Sequence, residues 1–174
     1  MSRILTSTSL QPHDPMLVER IATEFSGYHI HGELYAIIGT SQALTVTSTG
    51  TYYIQTGWAD TGYISTGYIT GSAANGTLTI GAKAAGLYMV DFGCCFQVNK
   101  TADVEFGIFD GATMLSGTHR EEHMIANFHT SVQTHKIVQL HPTDVITVKW
   151  TSSVDTTIIS FMNSVLTLVW VAGV

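Results

Sequence analysis

With 174 residues the chain is long enough for one domain with a substantial core. Only 11% of residues are charged and the formal net charge is −6, so the basic footprint of a nucleic-acid binder is missing. Sixteen glycines and no sustained helical periodicity point to an all-β domain, and the positive mean hydropathy of +0.23 suggests surface that ends in contacts between subunits.

Residues 1–27 stand apart. They hold Pro12 and Pro15, show no two-residue alternation, and carry Leu17, Val18, Ile21 and Phe25 at helical spacing. The expectation is an N-terminal arm that docks on a partner through those four residues; a frayed terminus is the alternative. The first residues contain no apolar signal-peptide core, so Sec-type export is not expected.

Strands are predicted from Gly32 onward, over residues 33–38, 42–47 and 51–56. Residues 58–70 are punctuated by glycines and read as a loop or two short strands. Asn75-Gly76 marks a tight turn before residues 77–80. The strongest alternation follows Gly86, where Tyr88, Val90, Phe92, Cys94, Phe96 and Val98 share one face of a long strand. Cys94 and Cys95 face opposite ways, are poorly placed to bridge each other, and read as reduced thiols. Asn99-Lys100-Thr101 turns the chain, Val104, Phe106 and Ile108 alternate, and Asp110-Gly111 is a second hairpin signal. Strands over 130–140, 145–150, 157–162 and a terminal one complete a domain over residues 28–174. Eight to ten strands at this spacing suggest a jelly-roll β-sandwich.

The terminal strand carries Val165, Thr167, Val169 and Val171 on one face and Leu166, Leu168 and Trp170 on the other. A sheet with one wet face would alternate apolar with polar. Both faces therefore need a cover: a second sheet on one side and another copy of the chain on the other. Met89, Leu166, Leu168 and Trp170 are the expected subunit contacts. The apolar run is too short for a spanning helix and is interrupted by Asn163, Ser164 and Thr167.

Residues able to carry chemistry are few. His119-Arg120-Glu121-Glu122-His123 matches H-x-x-E-H in form, but that zinc chemistry needs a helix and a third ligand, and the segment reads as loop or strand. His29 and His31 point the same way in an extended segment. In a trimer with that segment on the axis they would offer six imidazoles to one metal ion; two histidines at a strand start are the plain alternative. Tyr52, Tyr53, Trp58, Tyr63 and Tyr68 suit a sugar-binding surface, or core and subunit contact. No nucleophile, carboxylate pair or phosphate loop is found, so neither catalysis nor a cofactor is expected.

The order of features resembles a known architecture. Gly86-Leu87-Tyr88-Met89-Val90 opens a long strand, Val104 to Asp110-Gly111 follows, and Leu140-His141-Pro142-Thr143-Asp144-Val145-Ile146-Thr147-Val148 resembles L-x-x-G-D-x-V-x-V, with Thr143 in the glycine's place. Over residues 32–173 the chain is similar to the jelly roll of tumour-necrosis-factor-like and complement-type globular heads, and to their counterparts in bacteriophage virion proteins. The resemblance implies a homotrimer around a three-fold axis and no catalytic residues. The expected role is a trimeric decoration or cement protein, made in the host cytoplasm and seated on the major capsid protein of a virion. No heptads or collagen-like repeats form a stalk ahead of the head. The alternative is a receptor-binding tip or short tail-fibre head that takes a host glycan.

Overall fold

Thirteen strand segments form two antiparallel sheets in the computed structural model, which describes residues 30–36 and 42–173. In chain order they are β1 His31–Ala36, β2 Gln42–Val46, β3 Tyr53–Ile54, β4 Asp60–Ile64, β5 Ile69–Ser72, β6 Thr77–Ile80, β7 Gly86–Val98, β8 Ala102–Asp110, β9 Thr113–Met114, β10 Arg120–Met124, β11 His129–Leu140, β12 Val145–Ser152 and β13 Thr157–Ala172. One sheet has six strands in the order β11-β7-β13-β1-β4, with β2 beside β13; the other has seven in the order β10-β8-β12-β6-β5, with β3 on β12 and β9 on β8. From β7 the chain crosses between sheets at β7–β8, β10–β11, β11–β12 and β12–β13, which gives the jelly-roll sandwich. The Asn99 and His141 turns are thus arches between sheets rather than hairpins. Asp110-Gly111 does close a hairpin, and Gly111 has φ 54°.

The count exceeds the expected eight to ten because β9 and the edge strand β10, which carry no apolar alternation, add to the strands read, while the strand expected over 51–56 shortens to β3. Residues 58–70 resolve into β4 and the start of β5. The segments expected at 157–162 and beyond are one sixteen-residue strand, with bulges at Phe161/Asn163 and Trp170/Ala172. The arm, with Leu17, Val18, Ile21 and Phe25, and also His29, lies outside the described residues.

The long alternating strand behaves as its pattern predicts. Tyr88, Val90, Phe92, Cys94, Phe96 and Val98 all turn into the sandwich and are buried. They meet the inward side of β8 and β12, where Trp150 stacks on Phe106 at 4.5 Å between ring centroids and stands edge-on to Phe96 at 4.9 Å. One polar residue crosses this core. Gln55 is fully buried; its Nε2 donates to Ser164 Oγ at 2.9 Å, and its Oε1 accepts from Trp150 Nε1 at 3.0 Å. Its carbonyl accepts from Trp58 Nε1 at 2.8 Å. It ties β13 of one sheet to β12 of the other. The Asn75-Gly76 turn closes over it: Gly76 has φ 66°, and a Cβ there would lie 2.0 Å from the Gln55 carbonyl oxygen, so no other residue fits.

Candidate functional site

Among the described residues, the outer face of the six-stranded sheet leaves a row of apolar side chains open. On β13, Leu166 and Leu168 point inward and are fully buried within their own chain, while Val165, Thr167 and Val169 point outward. This corrects the expected contact set. Leu166 and Leu168 fill the sandwich core and cannot meet another subunit. Trp170 packs against the same core and its backbone N–H donates to Ile30 O at 3.0 Å. Of the four expected residues only Met89, 40% exposed, stands free on the outer face. Both faces of β13 are apolar, as read, but the periodicity of a strand does not say which one turns inward.

Strand register arranges the outward side chains in rows. One row runs Ile137, Met89, Val169, His31 across β11, β7, β13 and β1, with Tyr63 of β4 edge-on to the His31 ring at 5.8 Å. Ile137 is 57% exposed and Tyr63 63%. The next row, two residues along, runs His135, Asp91, Thr167, Glu33. The third runs Gln133, Gly93, Val165, Tyr35, with Asp60 at the β4 edge. Here the face is hollowed into an open groove of about 700 Å³ lined by Glu33, Tyr35, Gly93, Ser131, Gln133 and Asn163. Gly93 makes the hollow, since a Cβ there would have no atom closer than Val132 O at 3.7 Å.

Sequence reasoning missed Ile137. The signal was there: the outward column of β11 reads His129, Ser131, Gln133, His135, Ile137, Gln139, a single aliphatic residue among polar ones.

The H-x-x-E-H residues sit elsewhere, on the seven-stranded sheet. Arg120–Met124 is the edge strand β10, not a helix. Residues four apart on a strand are about 13 Å apart, too far to share one metal ion. Each histidine instead faces its own carboxylate across to β8: His119 Nε2 is 3.1 Å from Glu105 Oε2, and His123 Nδ1 is 2.6 Å from Asp103 Oδ1. Glu105 also accepts from Tyr52 Oη at 2.8 Å. These contacts, His119 first and Tyr52 second, hold the Glu105 carboxyl below its usual range. Burial, then the bond to Glu105, pushes the Tyr52 phenol up to about 12.

Among the described residues no group of histidine, cysteine, aspartate and glutamate side chains could hold a metal ion. The Nε2 of His31 is buried without a hydrogen-bond partner, against the Tyr63 ring. Trp58 is core, 4% exposed and edge-on to Phe92, so it is not part of an exposed aromatic platform. Cys94 and Cys95 are free thiols; burial, with Cys95 adjacent, drives the Cys94 thiol well above its usual range and leaves it unreactive.

No family model matches the chain, and no curated protein does. Solved structures do. An Eiger tumour necrosis factor from S. frugiperda is 12% identical, with 83% of this chain and 94% of that one covered at a TM-score of 0.54. Murine APRIL is 13% identical, with 81% and 99% covered at 0.50, and the globular domain of zebrafish complement 1qA is 10% identical, with 83% and 99% covered at 0.55. The chain therefore has the jelly-roll fold of tumour-necrosis-factor-like and complement 1q-like heads.

Proposed function

We propose that this chain is a non-catalytic binding and structural head that works as a homotrimer, closed on the outer face of its six-stranded sheet. One observation carries the reading. The row Ile137, Met89 and Val169 leaves apolar side chains in solvent on a sheet whose central strand is apolar on both sides. Closed cyclic symmetry covers such a face without building filaments, and the resemblance to trimeric heads supports the same geometry. Light scattering on the purified chain should give three times 18.8 kDa. A monomer at micromolar concentration would end this reading.

The more specific reading is a virion protein, made in the host cytoplasm, that decorates a phage capsid. It rests on the order of strand motifs along the chain. Residues 1–27 are the proposed anchor, with Leu17, Val18, Ile21 and Phe25 meeting the major capsid protein. A trimer presents three such arms, and three weak contacts to one lattice gain affinity through effective concentration. Deleting residues 2–24 should leave a folded trimer that no longer binds undecorated capsids; full occupancy by the truncated protein would remove the arm as anchor. A receptor-binding tip that takes a host glycan is the second reading, and it must do without Trp58, which is buried.

A further inference from the structure

We infer that the subunits of this trimer associate with uptake of protons, so that assembly tightens as the solution becomes mildly acidic. The inference rests on the proposed trimer face and names its regulation.

The outer face of the six-stranded sheet has an unbalanced charge inventory. Its outward positions carry Glu33 on β1, Asp91 on β7 and Asp60 on β4, with His31 on β1 and His129 and His135 on β11. β13 and β2 contribute no charge to it. Among the described residues the strands of this sheet place no lysine or arginine on this face. The one lysine on these strands, Lys136, lies opposite buried Val90 on the other side of the sheet. With histidines neutral, the face sums to −3 from three carboxylates; with all three histidines protonated it sums to zero.

Placement makes this matter. Asp91 and Glu33 flank Thr167 on the central strand, and His135 is the cross-strand partner of Asp91. Gln133 Nε2 donates to the Asp91 Oδ1 at 3.2 Å. This charged row adjoins the apolar row Ile137, Met89, Val169, two residues or about 7 Å along the strands. A copy that covers the apolar row therefore reaches the charged one. Closing three copies brings six carboxylates, two per chain, toward one axis with only histidines to offset them. Negative charges crowded together favour protonation of the carboxylates and of neighbouring histidines alike, while withdrawal from water favours it for the carboxylates and opposes it for the histidines. The crowding of charge is therefore what drives the uptake. By linkage, the association constant changes about tenfold per pH unit for each proton taken up per trimer.

Sedimentation of the full chain, with chelator present, from about pH 8 to about pH 6 spans the range over which histidine charges and stays above the isoelectric point near 5.6. We expect the monomer–trimer midpoint to fall to lower protein concentration by about tenfold or more over that span. The double variant Glu33→Gln, Asp91→Asn should trimerise at least as tightly at pH 8 and lose most of the dependence. His135→Gln alone should reduce it. A trimer whose midpoint does not move with pH, or weakens on acidification, overturns the proton uptake while leaving the trimer standing. A monomer at every pH removes the trimer itself.

Discussion

The two outer faces of the sandwich differ in how they are closed. On the seven-stranded sheet, Phe109, Thr147 and Thr151 point outward yet are only 5%, 2% and 3% exposed. The chain covers them itself: the Tyr52 ring is 5.3 Å from Phe109, the Lys149 ammonium lies 4.6 Å over that ring, and Met114 sits on Gly107. On the six-stranded sheet none of the described residues lies over Met89, Ile137 or Val171, which are 40%, 57% and 42% exposed. Exposure of isolated apolar residues is ordinary; several of them across neighbouring strands of one sheet face are not. This open face is the one the proposed trimer would cover.

The sharpest way to test that contrast is on β13, where neighbouring residues have opposite fates. Leu168→Asp puts an unpaired charge in a dry core and should cost about 4 kcal/mol or more, enough to prevent folding. Val169→Asp, one residue on, should leave the circular dichroism and monomer melting nearly unchanged while abolishing the trimer. If Val169→Asp unfolds the chain as Leu168→Asp does, the outer face is not a surface at all.

Next in size is the polar tie between the sheets. Gln55→Leu leaves the Trp150 indole N–H and the Ser164 hydroxyl buried without their partner, so urea titration should show a loss of about 3 kcal/mol with an unchanged slope. A cost below 1 kcal/mol would mean that the two groups find other partners. This residue was illegible beforehand: a glutamine between Ile54 and Thr56 reads as solvent-facing, and only the meeting of two sheets puts it inside. By contrast, β7 was legible because six inward apolar residues alternate without error, and the Asn75-Gly76 and Asp110-Gly111 turns because glycine is there for a steric reason. The identity of the open face was not legible. Leu166 and Val165 are equally apolar, and the choice between them is made by packing across the sandwich. The histidine motif lies at an edge strand, and strand geometry separates its two rings.

Smaller still is an effect of pH on the closed face. Glu105 is held below its unfolded value by His119 and Tyr52. A group with a depressed folded value stabilises fully above its unfolded value, near about 4.3 for glutamate, and loses that contribution as pH falls through the folded one. The melting temperature should therefore drop as pH falls below about 4.3, and Glu105→Gln should flatten part of that slope. The carboxylate is 39% exposed, so solvent screening keeps the effect modest. An identical acid slope in Glu105→Gln would assign the loss to other carboxylates.

The smallest effect concerns the arch between β11 and β12, where the signature glycine is replaced. Thr143 has φ 75°, a left-handed conformation that crowds a β-branched side chain and costs an L-residue roughly 1–2 kcal/mol. The arch imposes it. The Thr143 N–H donates to Ile80 O at 2.8 Å, Asp144 O accepts from Ile80 N at 2.9 Å, and the Asp144 carboxylate accepts from His141 N at 2.7 Å. Three bonds fix the turn whatever residue occupies the position, so the strain persists in the native state. Thr143→Gly should remove it. Glycine also gives the unfolded chain more freedom, which takes back about 0.5–1 kcal/mol. The net gain is about 0.5–1 kcal/mol, or roughly 1–4 °C in melting temperature for a chain of this size. Asn127, at φ 63°, is the internal control. Asparagine tolerates that region far better, so Asn127→Gly should gain nothing or lose slightly. If Thr143→Gly melts lower than the parent chain, its exposed side chain contributes to the arch more than its backbone strains it, and the departure from glycine is an adaptation rather than a tolerated cost.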